Sequence, residues 1–227
     1  MFWFDPTYVL VIIGVIICLM ASANVNSTFN KYSKIKSAGG LTGKDVAARI
    51  LADAGITDVS VEKGRGHLTD NYNPNRKVIT LSEDVYDSSS LAAIGVAAHE
   101  CGHVIQHHKG YIPLKIRRIL VPAANIGSWL SWPIILLGVL FGLTGLVDIG
   151  IILFSAVLLF QIVTLPVEFD ASGKALKILR RTGILYENEV AISKKVLNAA
   201  ALTYVAAVIS TLLQLLRLVL LFRRRND

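Results

Sequence analysis

The sequence predicts an α-helical membrane protein of about four transmembrane helices with a small α+β module between them. Three observations predict it. The chain is 53% hydrophobic with a mean hydropathy of +0.56, too apolar for an ordinary soluble domain of 227 residues. Several apolar runs are long enough to cross a bilayer. Between the first two lies a stretch of mixed composition, with turn signals, short β-type runs and an alanine-rich helix carrying a His-Glu-x-x-His pattern.

The elements follow in order. Residues 1–28 form an N-terminal transmembrane anchor, with Tyr8 to Val25 as its apolar run. Ala21-Ser22-Ala23 imitates a signal-peptidase site. However, the segment before the run has Asp5 and no Lys or Arg, so a retained anchor is expected. Lys31, Lys34 and Lys36 come next and predict a cytoplasmic exit.

Residues 29–118 form the soluble module. Thr42 to Ala54 reads as an amphipathic helix, capped by Thr42 and closed by Gly55. Val59 to Glu62 and Lys77 to Leu81 read as short strands separated by Gly- and Asn/Pro-rich turns. The second of these is either an exposed edge onto which an extended peptide could add, or an interior strand; alternation alone does not separate the two. Ser82 to Tyr86 starts a helical turn. Ser88 to Ser90 then cap the motif helix, and Gly110 stops it.

Residues 119–165 form a transmembrane hairpin, Val121 to Phe141 and Ile149 to Leu165 about a short turn. Two antiparallel spans return the chain to the side it left, so residues 166–195 rejoin the module as a cytosolic helical segment. Residues 196–227 hold a C-terminal apolar helix and a basic tail. Ala199 to Phe222 can span, or lie along the membrane as an amphipathic cover, since it contains Gln214 and Arg217.

The net charge of +7 sits beside the apolar runs. Of the 23 Lys and Arg, all but Arg217 and Arg223 to Arg225 fall in the two segments placed inside. That is a membrane-orienting pattern, so lipid is an expected partner and nucleic acid is not. The two cysteines, Cys18 and Cys101, offer no disulfide framework, which suits a reducing, cytosol-facing module. Cys101 reads as a small packing residue.

The chemistry lies in His99-Glu100-Cys101-Gly102-His103. Residues four apart share one helix face, about 5–6 Å between Cβ atoms, so two imidazoles can grip one zinc ion. Glu100 is then placed as general base for a bound water. One zinc per chain is expected, with three protein ligands and an open fourth position. Candidates for the third ligand are Glu168, Asp170, His67, His107 and His108. His107 and His108 suit the helix dipole or solvent. Glu168 is preferred because a carboxylate directly after an apolar run needs a partner. Asp170 is the second choice, and Ser172 is placed to brace a ligating group. Tyr72, Tyr86 and His67 are candidates for stabilising an oxyanion.

Asp5-Pro6-Thr7-Tyr8, GHLTDNYNP before KVITLS, AAHECGHVIQH, PVEFDAS and ALTYVAA together resemble the YugP-like family of membrane zinc metallopeptidases over nearly the full length. More distantly, H-E-x-x-H followed after a membrane hairpin by E-x-x-A resembles the HtpX and CAAX prenyl protease group. The latter resemblance implies Glu168 as third zinc ligand, but this chain has Ser172 where that group has Asp. The family resemblance also implies an active site facing the cytosol. The expectation is therefore a multi-pass cell-membrane zinc metalloendopeptidase, a hydrolase with a zincin-like (gluzincin) module, acting on peptide or membrane-protein substrates. The alternatives are a zinc-binding membrane adaptor or chaperone-like protein without proteolysis, and a zinc carrier. A carrier would need His, Asp or Glu within the spans, where the chain offers Gln161, Gln214 and Arg217. Substrate identity and oligomeric state are left open.

Overall fold

The computed structural model describes residues 6–223, in the order α1 (Tyr8–Tyr32), α2 (Gly43–Asp53), β1 (Ser60–Lys63), β2 (Asn71–Asn73), β3 (Val78–Leu81), α3 (Glu83–Tyr86), α4 (Leu91–His108), α5 (Ile112–Leu140), α6 (Thr144–Arg181) and α7 (Glu187–Arg223). Asp5, Arg224 and Arg225, on which part of the orientation reading falls, lie outside the described residues. The protein is mostly helical with one small sheet. Helices α1, α5, α6 and α7 are long and apolar enough to cross a membrane.

All four outrun the apolar runs that announce them. Helix α6 continues through Pro166 and beyond the membrane-like stretch to Arg181, and α7 begins twelve residues before Ala199. Hydrophobicity marks where a helix meets an apolar solvent; only caps and breakers mark where it ends. Gly183, at φ +65°, closes α6 in the left-handed conformation that glycine adopts without steric cost.

By packing, the described residues fall into two units. One holds residues 6–22, 112–166 and 202–223. Its buried cluster is small, with Ile135, Phe154 and Leu218 at the centre. Small residues let its helices approach: a Cβ added at Gly127 would stand 2.3 Å from the Leu153 carbonyl oxygen. Within it Arg217 lies over the Tyr8 ring, 4.0 Å from the centroid.

The other unit holds Ala23–Tyr111 and Val167–Ala201. Its core gathers Phe29, Val46, Ile50, Ile79, Leu81, Leu91, Ile94, Val104 and Leu179, all nearly or fully buried. Helix α2 starts with a capping box, in which the Thr42 hydroxyl accepts from the Asp45 N–H and the Asp45 carboxylate accepts from the Thr42 N–H. Helix α4 starts where Ser90 Oγ accepts from the Ala93 N–H, and Gly110 closes it at φ +64°.

The sheet has the order β1-β3-β2, with β3 parallel to β1 and antiparallel to β2. Of the two readings open for Lys77 to Leu81, the interior strand is the one observed. β3 is the centre, and three of its four residues are buried, because β2 covers its second side. β2 is the outer strand on the side of α4, and its Tyr72 Oη lies 2.9 Å from Nδ1 of His107.

Candidate metal centre

The α4 sequence is helical for local reasons: a serine cap, then alanines and few branched side chains. Its second half must meet α6 closely. Gly102 makes this feasible, since a Cβ there would lie 2.5 Å from the Ala171 carbonyl oxygen. The close approach brings Glu168 of α6 to the two histidines. Nε2 of His99 stands 3.3 Å from Oε2 of Glu168, and Nε2 of His103 stands 3.5 Å from the same oxygen. The rings of His99 and His103 meet edge to face, with centroids 4.7 Å apart.

These three residues each offer one ligand atom, all within 4.8 Å of one another. The donor set fits zinc. Bonds of about 2.0–2.2 Å to a tetrahedral ion separate neighbouring donors by roughly 3.3–3.6 Å, the spacing seen between each imidazole and the carboxylate. The Glu168 side chain is 3% exposed and the histidines 15% and 12%, so the donors face each other away from bulk water.

The surroundings hold the imidazoles by their other nitrogens. Nδ1 of His99 lies 3.1 Å from Ser172 Oγ, and Nδ1 of His103 lies 3.0 Å from Gln106 Oε1. Burial works against a positive charge on His103, but the Glu168 and Glu100 carboxylates outweigh it and raise its pKa. Burial also pushes the Glu100 carboxyl above the usual carboxylate range, against the pull of His103 and His99. A cluster of this kind favours a cation among its donors.

The remaining candidates are engaged elsewhere. The Asp170 carboxylate accepts from Gln106 Nε2 at 2.7 Å and pairs with Lys174. His67 pairs with Asp84 and sets its ring edge-on to Phe29. His107 meets Tyr72, and His108 lies 3.2 Å from Asp58. Tyr86 carries Lys44 over its ring. Cys101 is buried, with its thiol directed at the Ala47 carbonyl, in keeping with a packing role.

Sequence reasoning missed Gln106, which is fully buried yet polar and lies three residues after His103. The only hint in the sequence is general: a metal-binding histidine rests its second nitrogen on an acceptor, without the sequence saying which. It also missed the Ser82–Asp70 contact, in which the Ser82 N–H and hydroxyl both donate to the Asp70 carboxylate beside the sheet.

The chain is thus mostly helical, with helices apolar enough to cross a membrane and a His-His-Glu cluster that could hold a metal ion. The chain belongs to the family described as "putative neutral zinc metallopeptidase", which matches residues 7–223. It is 47% identical over 207 residues to the "Putative membrane protease YugP" of Bacillus subtilis (strain 168), covering 91% of this chain and 92% of that protein. No solved structure matches it.

Proposed function

We propose that this chain is an integral membrane zinc endopeptidase of gluzincin type, with one zinc held by His99, His103 and Glu168 and with Glu100 as general base. The observation that supports it most is the convergence of two imidazole nitrogens of α4, the helix that also carries the buried Glu100, with one carboxylate oxygen of α6. When bound, zinc supplies Lewis acidity, drawing the pKa of its water toward ~7 from ~15.7 and sharing the charge that develops on the substrate carbonyl.

The chain's own residues do the rest. Glu100 accepts a proton from the attacking water and passes it to the leaving amine. Its place on α4, one residue after His99, puts its carboxylate beside the proposed ligands. An endopeptidase that holds its substrate in an extended form reads backbone more than side chains. Unfolded or loop segments of peptides and membrane proteins are the substrates that fit. The four apolar helices reside in the bilayer, and the soluble module faces the cytosol.

The test uses the full chain purified in detergent. About one zinc per chain and cleavage of an unfolded polypeptide are expected. Glu100→Gln keeps the zinc and slows cleavage about 10²–10⁴-fold. Comparable cleavage by that variant overturns the mechanism; zinc without any cleavage in the unsubstituted protein points to an adaptor instead. Cysteines introduced at Lys36 and Lys177 test the orientation: both are shielded from impermeant thiol reagents in intact cells. Labelling at Lys36 would invert the topology.

A further inference from the structure

Gln106 is the most completely buried polar side chain near the candidate metal centre, with 0% exposure, and both of its polar atoms have partners. Its Nε2 donates to the Val167 carbonyl at 2.8 Å and to Asp170 Oδ2 at 2.7 Å. A carbonyl and a carboxylate can only accept, so both amide hydrogens are committed to α6. The amide therefore cannot turn over, and Oε1 must face His103 Nδ1 at 3.0 Å. An amide oxygen carries no hydrogen, so Nδ1 is the protonated nitrogen. In the neutral ring the lone pair then belongs to Nε2, the atom that faces Glu168.

We propose that Gln106 is the positioning residue of this site, presetting the tautomer and ring orientation of His103 through an anchor on Val167 and Asp170. Lys174 pairs with Asp170 on the same helix. His99 has no such constraint. Its Nδ1 rests on the Ser172 hydroxyl, which can donate or accept, so the hydrogen bond there is compatible with either tautomer. One ligand is thus fixed by the fold and the other adapts. This role rests on His103 being a zinc ligand, although the tautomer itself does not depend on the metal.

Two measurements on the detergent-solubilised full chain test it. In zinc-free protein with ¹⁵N-labelled histidine, at a pH where the ring is neutral, long-range ¹⁵N–¹H correlation should show His103 as the Nδ1–H form. An Nε2–H form in the unsubstituted protein overturns the inference without any variant having to fold. The second measurement is Zn²⁺ affinity by chelator competition. Gln106→Met keeps the volume but removes the acceptor, and should bind Zn²⁺ about 10–100-fold more weakly and release the His103 tautomer. Ser172→Ala should leave the His103 tautomer unchanged. A purely structural Gln106 would lower the melting temperature and leave the tautomer and the affinity of the folded fraction alone; that result also overturns it. If the unsubstituted protein fails to bind Zn²⁺, the zinc reading fails while the tautomer result stands. If it binds and Gln106→Met binds equally well, only the positioning role fails.

Discussion

Helices α4 and α5 are both rich in apolar residues, and they use them in opposite ways. Thirteen of the 18 residues of α4 are buried, against five of the 29 of α5, so hydrophobicity alone does not say what will cover a helix. Residue size does. Helix α4 is built from Ala, Gly and a few branched side chains, which lets neighbouring backbone come within contact distance on several sides. Helix α5 carries Trp129, Leu136, Leu140 and Ile119 outward, with Trp129 78% exposed. An apolar face of that extent is costly in water, and hydrocarbon solvates it. One helix has the rest of its unit as solvent, and the other, under the proposed function, has lipid.

The largest effect expected is on the polar stripe that α4 keeps inside its apolar shell. Glu168→Ala removes one of the three proposed ligands and leaves two half-buried imidazoles facing each other. Metal analysis should fall from about one zinc per chain to near none, and cleavage should vanish with it. Asp170→Ala should retain the metal, with a few-fold weaker affinity at most, because Asp170 touches the centre only through Gln106. Zinc retained by the first variant and lost by the second would transfer the third ligand to Asp170.

The contrast in burial has its own pair of substitutions. Ile94 of α4 is 0% exposed, and Ile94→Ala should cost about 2–5 kcal/mol through lost transfer energy and a cavity. Leu136 of α5 is 58% exposed, and Leu136→Ala should move stability by under about 0.5 kcal/mol. Thermal or denaturant melting in detergent compares them. Equal losses would mean that α5 has a protein surface over it.

Much of this was legible from sequence where the physics is local. His99 and His103 share a face because of helical period, and Ser90 caps α4 and Gly110 closes it by side-chain chemistry that needs no tertiary context. Glu168 was legible from the position of a carboxylate after an apolar run. The three residues Asn71-Tyr72-Asn73 were not, because their composition reads as turn; they become a strand only by pairing with β3. The central place of β3 follows from that same missed strand. Gln106 escaped because an amide three residues after His103 reads as an ordinary polar helix position until burial and the α6 acceptors are seen.

A smaller effect isolates how α4 admits α6. Gly102→Ala would place a methyl 2.5 Å from the Ala171 carbonyl oxygen and 3.0 Å from its carbon, both backbone atoms that no rotamer change can clear. One helix must shift, at a cost of about 1–3 kcal/mol. The shift moves Glu168, one turn from Ala171, relative to His99 and His103, so zinc affinity should fall along with the melting temperature. A variant that melts earlier but binds zinc as before would show that the ligands adjust independently of the helix contact.

Gly173 provides the smallest effect and the opposite sign. It sits on α6 two residues after Ala171, yet a Cβ there meets nothing within 4 Å, because that side borders the open cleft lined by Lys109, Lys174 and Lys177. No contact requires a glycine at this position, and its φ is an ordinary helical one, since it is not among the positive-φ residues. Glycine in a helix interior gives up more backbone freedom on folding than alanine does. Gly173→Ala should therefore stabilise the protein by about 0.5–1 kcal/mol, with zinc affinity unchanged. The two glycines lie on helices of the same unit and differ only in what faces them, so the signs of their alanine variants separate close approach from chain entropy. A destabilised Gly173→Ala would mean that the cleft closes in solution over a surface the structure leaves open.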